Sequence, residues 1–336
     1  MVSLHRTRVS MKAELRKARD WLHAAEHICV LSHTSPDGDA VGSVLGLMWA
    51  LRAAGKRVSP ALPDKVPSTF TFLPGSAEVA QQVPADADLL VALDTADLER
   101  AGSLSRDLAR PIDINIDHHI SNSGFGRINL VASNTTATAE YLVGLLQAFG
   151  LALDGQVANC LLTGLVTDSL GFRTNSTGSA TLATARKLLQ YGGKLHEIYE
   201  RTLHRRSFEA VKLWGQALGV ARCEDGLAWT QVTLAGKAEI GYTAIGDADV
   251  ISQLTAIEGA EVAVVFVERP DAEVKISWRS VSGLDVAAIA QHFGGGGHQA
   301  AAGANIHGAT LVQAERDVLK RTRAALRHHR QNGSRQ

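Results

Sequence analysis

Cysteine is scarce in this chain: only Cys29, Cys160 and Cys223 occur among 336 residues, far apart in sequence. That spacing excludes a disulfide framework and a cysteine-rich zinc site, and it predicts buried thiols in a reducing compartment. Aromatic residues make up 5% and do not interleave with basic ones, which argues against an extended channel that stacks single-stranded bases. An excess of one charge is missing too. The 34 Lys+Arg are matched by 34 Asp+Glu, so no overall positive field exists to hold long nucleic acids, and such a substrate has to be short or gripped by a local patch. No apolar run reaches the ~18 residues needed to cross a bilayer. The opening MVSLHRTRVSMKAELRKARDW has no continuous apolar segment of the kind a secretory signal carries. The expectation is a soluble, cytoplasmic protein with no membrane partner.

Hydrophobic residues are 45% of the chain and charged ones 20%, the balance of an ordinary folded protein, and the length favours two domains over one. The apolar run at 28–31 and strand-like segments at 57–62, 88–94 and 114–117 alternate with helical spacing at 41–51, 136–150, 154–166 and 180–191. Strands alternating with helices predict a mostly parallel α/β sheet. Residues 192–215 are polar, basic and helix-compatible, and are assigned as a helical linker between domains at 1–191 and 216–336. The second domain is also α/β but smaller, with strand candidates at 227–234, 262–269 and 272–280. It closes with a helix from about Thr310 that frays into the basic tail RHHRQNGSRQ, expected to be solvated and disordered.

Chemistry gathers at the ends of the apolar runs. His33, Asp37 and Asp39 follow the first strand within seven residues, Asp94 ends LLVALD, Asp117-His118-His119 ends INID, and Asp168 lies in GLVTDSLGFR. Each acidic group alone could be a turn or a helix cap. In an open parallel sheet, however, the carboxyl ends of strands face one crevice, and chance capping does not explain four clusters, Asp168 after an apolar helix among them, each at the C-terminal end of an apolar element. A mixed carboxylate and imidazole set without thiolate suits Mn²⁺ or a similar divalent ion better than Ca²⁺ or zinc. Two such ions, roughly 3.5–4 Å apart, would activate a hydroxide and neutralise phosphate oxygens. In the second domain, Gly294, Gly295, Gly296 and Gly297 strip a loop of side chains ahead of His298 and a helix-like AAAG segment. Such a loop is either a hinge or an anion-binding nest at a helix N-terminus.

HTSPDGD, the strand-terminal Asp94, DHH, Asp168 and the late GGGGHQAAAG, in this order, resemble the motifs of the DHH phosphoesterase superfamily. More narrowly, they resemble its two-domain branch with a DHH-associated C-terminal domain, the NrnA-type oligoribonuclease and pAp phosphatases. The likeness runs from about residue 25 to 320. It implies that His33, Asp37 and Asp94 hold one Mn²⁺ while Asp39, Asp94, His118 and Asp168 hold a second, with Mg²⁺ or Co²⁺ as substitutes. Asp117 would orient His118, and His119 would face the scissile phosphate as charge stabiliser or proton donor. Arg279, the glycine loop and His298 would grip the substrate's phosphate and nucleotide across an interdomain cleft, with Arg173 as a further contact. The implied substrates are short RNA or DNA oligonucleotides, pAp and pApA, and the implied assembly is a homodimer. A cyclic-dinucleotide phosphodiesterase acting on c-di-AMP or pApA needs the same parts and stays open. An inorganic pyrophosphatase fits the glycine loop poorly, and a non-catalytic nucleotide-binding regulator fits the complete ligand set poorly.

Overall fold

The structure is a computed structural model that describes residues 2–333 except 107 and 245, with side chains described from 11 to 331 apart from those two and His298. The chain divides into two compact units between Arg205 and Arg206.

In chain order, the first unit comprises α1 (Val2–Ala24), β1 (His27–Leu31), α2 (Gly38–Ala53), β2 (Arg57–Ala61), β3 (Leu89–Leu93) and α3 (Gly102–Arg106). These are followed by β4 (Ile114–Asp117), β5 (Ile128–Val131), α4 (Thr138–Phe149), α5 (Gly155–Asp168), α6 (Ser179–Gln190) and α7 (Leu195–Tyr199). The five strands form a wholly parallel sheet in the order β2-β1-β3-β4-β5. β1, β3 and β4 are buried along their full length; β3 is apolar throughout and β1 after His27, as strands covered on both faces are, whereas β4 alternates Ile114 and Ile116 with the buried polar Asn115 and Asp117. One large core cluster includes Ile28, Val44, Leu93, Ile116, Leu142 and Leu161. A second includes Cys29, Leu90, Ala101 and Leu104. Strand order reverses between β1 and β3, and in a sheet of this order the crevice at their carboxyl ends is where ligands bind.

The second unit comprises α8 (Phe208–Gly219), β6 (Arg222–Glu224), β7 (Leu227–Val232), α9 (Leu234–Ile240), α10 (Val250–Leu254), β8 (Val262–Arg269) and β9 (Glu273–Ser280). It continues with α11 (Val286–Gln291), β10 (Gly296–His298), β11 (Ala301–His307) and α12 (Leu311–Gly333). Its mixed sheet runs β10-β11-β9-β8-β7-β6. One sheet face, with Val264, Ile276 and Trp278, packs with Val286 and Ile289 of α11 and Val318 of α12. The other face, with Ala263 and Val265, packs with Leu213 of α8 and Leu254 of α10. The α/β class inferred from the alternating runs is the observed one in both units.

Three local expectations are corrected. The tail is not frayed through its length: α12 continues to Gly333, held by Arg330, whose guanidinium pairs with Glu261 and donates 2.9 Å to the Asp225 carbonyl. His329 Nε2 donates 3.2 Å to the Ser282 carbonyl in the same stretch. Cys223 is exposed on the edge strand β6, whereas Cys29 and Cys160 are buried. Burial pushes the Cys29 thiol up to about 12. The AAAG segment is the start of strand β11, not a helix.

Candidate metal centre

The site is built where β1, β3 and β4 end. His33 follows β1 and is 3% exposed. Its Nδ1 donates 2.8 Å to the Thr34 carbonyl, which leaves Nε2 as the lone-pair nitrogen, 3.4 Å from Asp94 Oδ2. Asp37 is the N-cap of α2: its Oδ1 accepts from the backbone N–H of Asp39 and Ala40, both at 3.0 Å. Capping therefore uses one oxygen and leaves the other for a ligand role. Asp39, in the first turn of α2, accepts from the N–H of Thr138 at 2.6 Å and of Ala139 at 2.9 Å. The helix N-terminus of α4 thus fixes its carboxylate and favours its charge.

Asp94 occupies the centre. It follows β3 in the left-handed backbone region at φ 53° and is 2% exposed. Its Oδ1 accepts from Thr138 Oγ1 at 3.0 Å and lies 3.6 Å from His118 Nε2 and 3.7 Å from His119 Nδ1. Asp168, the last residue of α5, places Oδ2 3.6 Å from His118 Nε2. Ligand atoms of His33, Asp37 and Asp94 lie within 4.8 Å of one another, as do those of Asp94, His118 and His119, and those of Asp39, His118 and Asp168. All the expected metal-ligating residues are therefore brought together, with Asp94 and His118 shared between groups.

Asp117 is arranged differently from the expectation that it orients His118. Its Oδ1 accepts 2.8 Å from His119 Nδ1 and 2.8 Å from the His118 backbone N–H. The ring of His118 instead has Nδ1 3.4 Å from the Thr135 carbonyl. Adjacent residues point their side chains apart, so the carboxylate that closes a turn on the first histidine's backbone reaches the second histidine's ring. The carboxylate thus supports a protonated His119. Burial alone would lower the His119 pKa, but the Asp117 hydrogen bond and the Asp94 charge raise it above the usual imidazole value.

The carboxylates are electrostatically unbalanced without a cation. Burial first, then the charges of Asp94, Asp168 and Asp37, hold Asp39 well above the ordinary carboxylate range. Burial and the charges of Asp94 and Asp37 push Asp168 up to about 8. Of the carboxylates expected to ligate metal, Asp94 is the one lowered: burial opposes its charge, but the neighbouring imidazoles of His33, His118 and His119 outweigh it. A divalent ion supplies the missing positive charge, and an oxygen and nitrogen donor set without thiolate fits such an ion. The cluster is able to hold metal.

Arg173 lies in the first unit, beyond Asp168, after three successive left-handed residues at φ 49°, 70° and 68° (Leu170, Gly171, Phe172). It is exposed, with Nε donating 3.1 Å to the Leu170 carbonyl. Arg279 is exposed on β9 in the second unit, where its NH1 donates 3.0 Å to the Trp278 carbonyl. It lies in register with Ala301 of β11, which faces His298 of β10. The His298 side chain lies outside the described residues. The glycines end a helix and start a hairpin: the N–H of Gly294 and of Gly295 bond back to α11 carbonyls of Gln291 and Ala290 at 3.0 and 2.9 Å. A Cβ on Gly295 would meet the Gly303 carbonyl at 2.1 Å, and one on Gly297 the Ala301 carbonyl at 2.5 Å. Close strand approach, rather than a helix N-terminus, accounts for this run. Thr138 and Asn122, both bonded to centre carboxylates, were not found from the sequence. Neither has an ionisable group, so no local pattern marked them.

A parallel α/β unit with an Asp/His centre at its switch point, followed by a smaller mixed-sheet unit, defines a two-domain protein with a metal-binding site. Comparison with known proteins gives the family. The model of the DHH family N-terminal domain matches residues 27–165, and that of the DHHA1 domain matches 233–327. The chain is 35% identical over 320 residues to the bifunctional oligoribonuclease and PAP phosphatase NrnA of Thermus thermophilus, covering 93% of this chain and 94% of that one. It is 28% identical to the protein of the same description from Bacillus subtilis, covering 88% and 94%. A crystal structure of an exopolyphosphatase-related protein from Bacteroides fragilis superposes with a TM-score of 0.86 at 27% identity, covering 94% of this chain and 96% of that one. The chain belongs to the DHH family of phosphoester hydrolases.

Proposed function

We propose that the chain is a manganese-dependent phosphoesterase that releases 5′-mononucleotides from very short oligoribonucleotides and the 3′-phosphate from pAp. The observation that carries this reading is the convergence on Asp94 of ligand atoms from three strand ends. It is supported by the descriptions of the Thermus and Bacillus relatives, which this chain matches across both domains. His33, Asp37 and Asp94 would hold one ion, and Asp39, Asp94, His118 and Asp168 the other. Bound there, divalent ions supply positive charge to phosphate oxygens and lower the pKa of water. Asp94, fixed by Thr138, keeps the two ligand sets in register. His119, its Nδ1 proton held by Asp117, carries its second proton on Nε2 and gives it to the leaving oxygen. Arg279, the 294–297 glycines and His298 bind the substrate's phosphate and nucleotide, with Arg173 as a further contact. A homodimer in the cytoplasm completes the proposal, and sedimentation velocity tests its assembly state.

The test is a set of initial rates on pAp, pApA, an RNA pentamer and c-di-AMP in Mn²⁺, against an Asp94→Asn background. Cleavage of the linear substrates and pAp, with c-di-AMP spared, supports the reading; c-di-AMP as best substrate replaces it with cyclic-dinucleotide turnover. Two substitutions divide the roles. His119→Ala should leave bound Mn²⁺ at wild-type content while cutting kcat by about 10²-fold or more, the usual worth of a positioned proton donor; parallel loss of metal would make His119 a ligand. Arg279→Ala should raise KM about tenfold for substrates with a terminal phosphate, the scale of one charged hydrogen bond, with kcat little changed. A kcat loss at unaltered KM would exclude Arg279 from substrate binding.

A further inference from the structure

Asp117 is fully buried at the end of β4, and its two oxygens serve different partners. Oδ1 holds the ring of His119. Oδ2 accepts 2.7 Å from Asn122 Nδ2. The same amide nitrogen lies 2.8 Å from Asn115 Oδ1 and 3.2 Å from the Thr95 carbonyl, and Asn122 Oδ1 accepts from the Gly124 N–H at 2.8 Å. Asn115, itself fully buried, donates 3.3 Å to the Thr95 carbonyl. Asn122 Nδ2, with two protons to share among these acceptors, therefore sits between Thr95, the second residue after β3, and Asn115 and Asp117 of β4.

The backbone between His119 and Asn122 is a turn closed by the Asn122 N–H on the His119 carbonyl at 3.1 Å. Apolar packing does not anchor this turn, because Ile120 at its apex is 92% exposed. The Asn122 side chain holds it down, together with the Ser123 N–H, which donates 2.8 Å to the Ala96 carbonyl. The His118 backbone N–H, at 2.8 Å, also holds Oδ1; a donor on Oδ2 further restrains rotation about the Cβ–Cγ bond, and a buried oxygen left without a donor is costly. With Oδ2 clamped, Oδ1 stays pointed at His119 Nδ1.

We propose that Asn122 is a positioning residue for His119, acting through Asp117 to fix the orientation in which the imidazole meets the reacting phosphate. This rests on the role given above to His119. The partner that orients a metal-bound histidine is commonly worth about 10–100-fold in activity, and a loss on that scale is expected for the proton donor His119.

The experiment is a double-mutant cycle in the full-length, Mn²⁺-loaded protein, using the fastest-cleaved substrate of the panel above. Asn122→Ala should lower kcat about 10–100-fold, with KM and bound Mn²⁺ close to wild type. In a His119→Ala background the same substitution should produce no further loss. Asn122→Ser, which keeps a shorter donor, should recover part of the rate, whereas Asn122→Asp, which sets a carboxylate against Asp117 Oδ2, should be the slowest variant. An undiminished effect of Asn122→Ala in the His119→Ala background overturns the proposal, as does a loss of bound metal. If His119→Ala alone leaves kcat unchanged, both the His119 role and this inference fall, and the wild-type substrate profile shows whether the phosphoesterase reading survives. Should Asn122→Ala fold poorly, the order of the Ser and Asp variants decides.

Discussion

Asp94→Asn is expected to lose turnover to the buffer background and to lose metal-induced stabilisation, while the metal-free protein stays as stable as wild type or becomes more so. Asparagine is the informative substitution because Asp94 sits at φ 53°, a region that Asn tolerates and Ala does not. The hydrogen bonds can also be kept. Thr138 Oγ1 still finds an acceptor in the amide oxygen, and His33 Nε2, unprotonated when Nδ1 serves Thr34, can accept from the amide nitrogen. Only the charge is removed, and that charge helps push up the pKa of both Asp39 and Asp168.

Thermal melts with and without Mn²⁺, plus EDTA, measure this. A ligand present at 100 times its Kd stabilises by about 2.7 kcal/mol, which for a unit of this size raises Tm by roughly 5–10 °C. Wild type should show that rise and lose it to EDTA, and Asp94→Asn should show neither. Activation by Mn²⁺ to a wild-type kcat would place the ions away from Asp94.

The parts legible in the sequence share a physical reason. β1, β3 and β8 are covered on both faces or nearly so, and a strand buried in that way is apolar over most of its length. The ligands were legible because four acidic or imidazole clusters, each at the end of an apolar element, are more than turns and helix caps account for. What escaped depends on tertiary pairing. Ala300 to Gly303 favours a helix by intrinsic preference, yet β11 is drawn into a sheet by the full length of β9 on one side and the glycines of β10 on the other. β5 is four residues with alternate burial, too short a signal beside its polar neighbours. The partner of Asp117 was misassigned because sequence adjacency to His118 hides which of two neighbouring rings turns back. Asn122 and Thr138 carry their roles through single hydrogen bonds to residues distant or buried in the fold, and nothing local distinguishes them from ordinary turn or helix-start residues.

The remaining large effect is expected far from any ligand, at the contact that sets the distance between Asp39 and Asp168. α2 and α5 run antiparallel in close contact. A Cβ on Gly38 would lie 2.3 Å from Thr167 Oγ1, on Gly42 2.4 Å from the Cys160 carbonyl, and on Gly46 2.6 Å from Leu161 Cδ2, while one on Gly164 would lie 2.6 Å from Asp39 Oδ1. At Gly42 the obstacle is backbone, so no rotamer change relieves it. Gly42→Leu should therefore force the helices apart and cost about 3 kcal/mol or more, a fall in Tm of roughly 6–12 °C. Because α2 carries Asp37 and Asp39 and α5 ends at Asp168, Mn²⁺ affinity should fall with stability. Gly42→Ala should show the same pair of losses on a smaller scale, since its gain in helix propensity of about 1 kcal/mol offsets part of the clash. Gly144→Ala is the control: it is exposed on α4 with nothing within 4 Å of its added methyl, so it should stabilise by about 0.5–1 kcal/mol and leave metal affinity unchanged. If Gly42→Ala behaved like Gly144→Ala, the separation of α2 and α5 would not be what holds the two carboxylates at the centre.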